Sequence, residues 1–93
     1  MIFCITLNYK FPIDIIKAHL ENHKVWLMEN IKLGNFIFAG PIENEEAGFI
    51  LGNFINKEQL NLVLRDDPFV EFDLVDINIK GLSTILKNEK FVF

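Results

Sequence analysis

The chain opens on an apolar, β-prone run from Met1 to Tyr9, interrupted only by Thr6 and Asn8. Such a run predicts a buried strand ending near "YKFP". From Pro12 the spacing changes. Ile16, Leu20, His23, Leu27 and Ile31 recur at intervals of three and four, which is one face of a long amphipathic helix. Asp14 falls in its first turn, where the helix dipole favours a carboxylate. Gly34 follows as the C′ residue, able to take the left-handed conformation needed there. "NFIFAG" is a short strand closed by a turn at Gly40-Pro41, and "ENEE" is a solvated connection. "AGFILGNFI" is a third strand. A second helix starts at Asn56, a capping residue, with Gln59 completing a capping-box pattern and Leu60, Val63 and Leu64 on its buried side. From Phe72 to Lys80 a last strand alternates Val75, Ile77 and Ile79 with Asp76, Asn78 and Lys80.

The order βαββαβ predicts an α+β domain of ferredoxin-like type, one antiparallel sheet with both helices on one face. The first three strands are apolar at nearly every position, so both sheet faces are expected to be covered. A sheet from a second subunit would cover the open face, which predicts a homodimer. Composition points the same way: 51% of the residues are hydrophobic and ten are phenylalanine, much for a chain of 93 residues with so little interior. Residues 1–81 form the domain. The tail, 82–93, ends in Phe91, Val92 and Phe93 and is expected to pack on the domain or on a partner. There are no repeats, linkers or low-complexity segments.

The net charge of −4, with scattered basic residues, argues against nucleic acid, whose binding rests on Lys and Arg contacts to phosphate. Cys4 is the single cysteine, which excludes an intrachain disulfide and a cysteine-based zinc site; in an apolar run it is read as a small core residue. No stretch reaches the ~20 apolar residues of a membrane span. "MIFCITLNYKF" lacks a basic lead and a small-residue cleavage site, so it does not read as a signal peptide, and a cytoplasmic location is expected.

Among polar residues His23 is the most informative, because it lies on the helical stripe that should face the sheet. An imidazole there is either a core histidine with a satisfied hydrogen bond or a general base at the edge of a cavity. His19, four residues earlier, makes a His-x-x-x-His pair with it, but no third ligand is in view and no metal site is assigned. "RDDPF" places Asp66 and Asp67 before Pro68 at a helix end. Asp67 can stop that helix and cap a short turn that begins at Pro68. It can also act as an acid or orient a histidine, since a carboxylate at a helix C-terminus feels the negative end of the dipole, an effect Arg65 would moderate. Asp66 is expected to face solvent. Ser83, Thr84 and Thr6 lack the setting of a nucleophile, "GNFIFAGP" is no phosphate loop, and Trp26, Met28 and the phenylalanines read as core and interface rather than as a cofactor site. No cofactor is expected.

"HKVWLMENIKLGNFIFAGP", from His23 to Pro41, resembles the signature of the YCII-related (YciI-like) proteins, with a histidine in the first helix, then a glycine, an apolar strand and Ala-Gly-Pro. "AGFILGNF" is similar to that family's third strand, and Asp67, Pro68 and Phe69 to its Asp-Pro-aromatic motif. The resemblance implies a dimeric α/β barrel of ferredoxin-like subunits and a His–Asp pair, His23 and Asp67, at a pocket. One branch of that family removes chloride from a chlorinated hydroxyhydroquinone, and the fold is shared with muconolactone isomerase. The chain departs from the pattern at Leu20, where an arginine often stands three residues before the histidine.

Two functions remain open at this level. One is a small enzyme acting on a compact, aromatic or lactone-like molecule by His23–Asp67 acid/base chemistry. The other is a non-catalytic domain that holds a small molecule or a partner in the same pocket. In a third case both residues serve only the fold and the dimer.

Overall fold

The computed structural model describes residues 1–91. Strand β1 (Ile2–Tyr9) leads into a short helix α1 (Ile13–Lys17) and a longer one, α2 (Leu20–Lys32). Strands β2 (Phe36–Pro41) and β3 (Ala47–Asn53) follow, then helices α3 (Lys57–Leu64) and α4 (Pro68–Glu71) and strand β4 (Val75–Leu82). The four strands form one sheet in the order β2-β3-β1-β4, every pair antiparallel, as the ferredoxin-like reading requires. Among the described residues no helix is long and apolar enough to cross a membrane.

Register decides which residues share a face, because directly opposed residues of a sheet point the same way. Ile5 opposes Ile50 on one side and Ile79 on the other, and Leu7 opposes Gly48 and Ile77. These belong to the face under the helices, where Phe3, Ile5, Leu7, Phe36 and Ile50 pack with Ile16, Trp26, Leu60, Leu64 and Phe69. Opposite lies a face carrying Cys4, Leu51, Phe38 and Phe49 on one half, and Thr6, Asn78 and Lys80 on the other. Phe38 is 48% exposed there.

Four local readings change in the structure. First, the long helix is two. Ala18 and His19 donate to Ile15 and Ile16, bonds of the tighter i to i+3 kind, and His19 leaves helical geometry at φ −112° and ψ 5° before α2 begins. The isoleucines at 13, 15 and 16 are weak helix formers, which suits a short first segment. Second, the buried arc of α2 is centred on His23, Trp26 and Asn30, while Leu20, Leu27 and Ile31 flank it. Third, Pro41 continues β2 rather than closing it, and the chain turns over residues 42–46 with Asn44 at φ 61°. A proline is tolerated here because β2 is an edge strand, where a missing N–H leaves no ladder bond unmade. Fourth, β4 starts at Val75, because Pro68–Glu71 form α4 and Asp73, at φ 55°, reverses the chain after it.

Both expected helix signals are in place. Gly34 at φ 81° ends α2, with Gly34 N–H donating to Ile31 and Asn35 N–H to Asn30, the paired bonds of a Schellman motif. Asn56 accepts from the Gln59 N–H at 2.9 Å, whereas the Gln59 side chain reaches one residue further back, to the Ile55 N–H. Residues 83–91 form no helix or strand and are exposed, Leu86 at 98%. Val92 and Phe93, part of the apolar tail, lie outside the described residues.

Gly34→Ala should cost about 1–2 kcal/mol, the penalty of a left-handed conformation for a residue with a Cβ. Urea denaturation of the two proteins measures it.

Candidate functional site

Asp67 is placed by the backbone around it. Its φ of −69° and ψ of 125° make it the N-cap of α4, Pro68 takes the first helical position, and Oδ1 accepts the Phe69 N–H at 3.0 Å. The carboxylate therefore stands at a helix start, and the dipole it meets from α4 has the sign opposite to that of a helix end. Its side chain is fully buried. The same Oδ1 lies 2.7 Å from Nδ1 of His23, which α2 delivers from the other side of the helical layer. Oδ2 is buried with no hydrogen-bond partner among the described residues. Both interactions thus converge on one oxygen.

His23 is held on three sides. Phe69, the residue whose N–H caps onto Asp67, lays its ring flat against the imidazole, with centroids 3.8 Å apart and planes within 7°. Trp26, one turn along α2, sits 5.7 Å away and anchors its own N–H on the Val63 carbonyl. Nδ1 is taken by Asp67, and His23 also lines a cavity of about 360 Å³. A carboxylate on Nδ1 selects the tautomer with its proton there, which leaves the Nε2 lone pair free to accept a proton.

The cavity runs between the α1–α2 layer and the β2–β3 side of the sheet. Leu20 and Leu27 form its helical wall, and Ala39, Gly40 and Gly48 are small enough to leave the opposite wall open. Two polar side chains besides His23 line it, Tyr9 and Lys24. Tyr9 packs edge-on against Phe69, and partial burial pushes its phenol up, so it stays a neutral hydrogen-bond donor. Sequence reasoning missed both. Tyr9 stood as the last residue of a strand, and Lys24 one step off the apolar stripe; only the sheet register and helix placement show that they share a space with His23.

The other candidates fall elsewhere. His19, at the N-cap of α2, lies against Phe72 with ring centroids 4.5 Å apart and planes tilted by 31°, and no group of three metal-ligating side chains occurs among the described residues. Asp66 and Arg65 are exposed. Cys4 is half-buried on the outer sheet face, away from the cavity.

No protein-family model matches the chain, and no curated protein matches it by sequence. Solved structures do match. A 5-chloro-2-hydroxyhydroquinone dehydrochlorinase from Burkholderia phenoliruptrix, in complex with 2,5-dihydroxybenzoquinone, superposes with a TM-score of 0.75. It is 15% identical, over 89% of this chain and 94% of that one. A muconolactone isomerase superposes with the same TM-score of 0.75 at 21% identity, over 95% of this chain and 98% of that one. At these identities the likeness is one of fold. The fold is the ferredoxin-like α+β fold from which dimeric α/β barrels are built.

Removing the carboxylate should be costly. Asp67→Ala loses a cap worth about 1 kcal/mol and leaves a buried Nδ1–H unpaired at about 1–3 kcal/mol. Asp67→Asn, which keeps an acceptor oxygen, should cost less. In a double-mutant cycle with His23→Ala the two losses should fall short of adding, by at least about 1 kcal/mol by chemical denaturation.

Proposed function

We propose that this chain is a YCII-related protein, a small enzyme that moves a proton on a compact aromatic or lactone-like molecule with His23 as the base. The observation that carries the reading is the 2.7 Å bond from Asp67 to Nδ1 of an imidazole that also lines a cavity of about 360 Å³. A general base needs an oriented ring, a free nitrogen and a site for the substrate, and the bond to Asp67 and the cavity beside the ring support this reading. The two structural neighbours support the reading by analogy, since their names describe enzymes acting on a chlorinated hydroxyhydroquinone and on a lactone.

In this mechanism Nε2 takes a proton from a substrate carbon beside a carbonyl, and the C–H electron pair moves onto the carbonyl oxygen as an enolate. The Tyr9 phenol donates a hydrogen bond to that oxygen. The imidazolium so formed is held by the Asp67 carboxylate on Nδ1. Return of the proton from Nε2 to a different carbon completes an isomerisation. Collapse of the enolate with departure of a leaving group from the neighbouring carbon completes an elimination, and the proton leaves His23 to solvent. Phe69 and Trp26 keep the ring from rotating out of line between these steps.

A thermal-shift screen of small phenols, quinones and lactones, run on wild type and His23→Ala together, tests the reading. Wild type is expected to gain several degrees with at least one compound, and that compound should be turned over by wild type alone. A compound that binds both proteins and is consumed by neither would favour a binding domain.

The active form in this proposal is a cytoplasmic homodimer, with the outer sheet face covered by a second copy. Phe38 and Phe49, 6.1 Å apart on that face, and the exposed Ile85 and Leu86 of the tail supply the apolar surface for it. Light scattering should give a dimer for wild type and a monomer for Phe38→Asp, which places a charge in the middle of the buried patch.

A further inference from the structure

The cavity beside His23 has a charge pattern unlike that of the chain. Acidic residues outnumber basic ones, 13 to 9, yet among the described residues no carboxylate lines the cavity. Its one charged side chain is Lys24, next in sequence to His23. The nearest carboxylate to its ammonium is Glu21, 3.8 Å away on the same helix, with that side chain 89% exposed. A pair of that kind, one turn apart in water, holds its partners by only about 0.2–0.5 kcal/mol. The ammonium is therefore available at the mouth, while the four-carbon stem can lie along the apolar rim. Leucines and isoleucines make up most of the remaining wall.

We infer that Lys24 is the specificity-determining residue of this site, and that the substrate is a compact, largely apolar molecule carrying one anionic oxygen group, a carboxylate or a phenolate. The inference rests on the proposed role of His23 and adds to it the class of molecule brought there. Both side chains line the same cavity of about 360 Å³, which has room for a ring-sized molecule between the ammonium and the imidazole. The anion is bound by charge at the open end, and the reacting carbon is carried inward to the base. Leu20, one turn before Lys24 on the same helix, is part of the apolar wall.

Isothermal titration calorimetry with matched probes tests this: benzoate against benzamide for a carboxylate, and 4-nitrophenol above its ionisation point against nitrobenzene for a phenolate. Wild type is expected to bind at least one anion about tenfold tighter than its neutral partner, a preference that shrinks as salt is added. Lys24→Gln should bring the two within about twofold, and Lys24→Glu should reverse the order. His23→Gln should keep the preference, since that ring is not the anchor. The carboxylate and phenolate arms tell the two anions apart. Equal binding of anion and neutral partner by wild type, or a preference that survives Lys24→Gln, overturns the role of Lys24 and leaves the His23–Asp67 reading standing. If His23→Gln abolishes the preference while Lys24→Gln retains it, the anchor is the imidazole and the inference fails. Lys24 is exposed, so its variants should melt within a degree or two of wild type, and a larger drop would assign it to the fold instead.

Discussion

Oδ1 of Asp67 does two things at once: it receives the Phe69 N–H that starts α4, and it pairs with Nδ1 of His23. Because one oxygen carries both bonds, the start of a four-residue helix and the orientation of an imidazole on a distant helix are set together. The sequence separation between the two residues is 44, so the interaction also closes the helical layer over the sheet. Phe69 completes the loop, since the residue that donates to the carboxylate also presses its ring on the imidazole. A buried carboxylate is tolerated when it is bonded; here both bonds fall on Oδ1, and Oδ2 is left without a partner among the described residues.

The rest of the cavity follows from how the backbone is shaped around that pair. The break at Ala18–His19 lets α1 and α2 both lean on the sheet, so that Ile16 from one and His23 from the other face the same space. Across from them, Ala39 on β2 and Gly48 on β3 carry little or no side chain. Larger residues at those positions would fill the space with core. Leu20 and Leu27, pushed to the flank of α2 by the burial of Trp26 and Asn30, become wall instead. The polar Asn30 is buried in their place because it bonds to the Trp26 carbonyl and accepts from Asn35.

Much of this fold was legible from the chain itself, because alternation in β4, the Gly34 cap and the Asn56 cap are local patterns with local causes. The break after Lys17 was not, since neither glycine nor proline marks it and the apolar spacing runs through without a flaw. Pro41 misled for the opposite reason: a strong turn signal lost its force on an edge strand. His23 and Asp67 could each be picked out, one by its place on an apolar stripe and one by the proline after it. Neither position by itself encodes their contact; the pairing is an expectation carried by the family resemblance. Tyr9 and Lys24 carried no mark at all, because membership of a cavity depends on which elements meet, and spacing along one element does not encode that.

Trp26 is the single tryptophan of the chain, and it stands between two things worth watching. Its indole N–H bridges to the Val63 carbonyl on α3, and its ring borders His23. Because that indole is buried between α2 and α3, the protein carries its own optical gauge: the wavelength of its emission depends on whether the two helices keep water from the ring, and it can be read without a label.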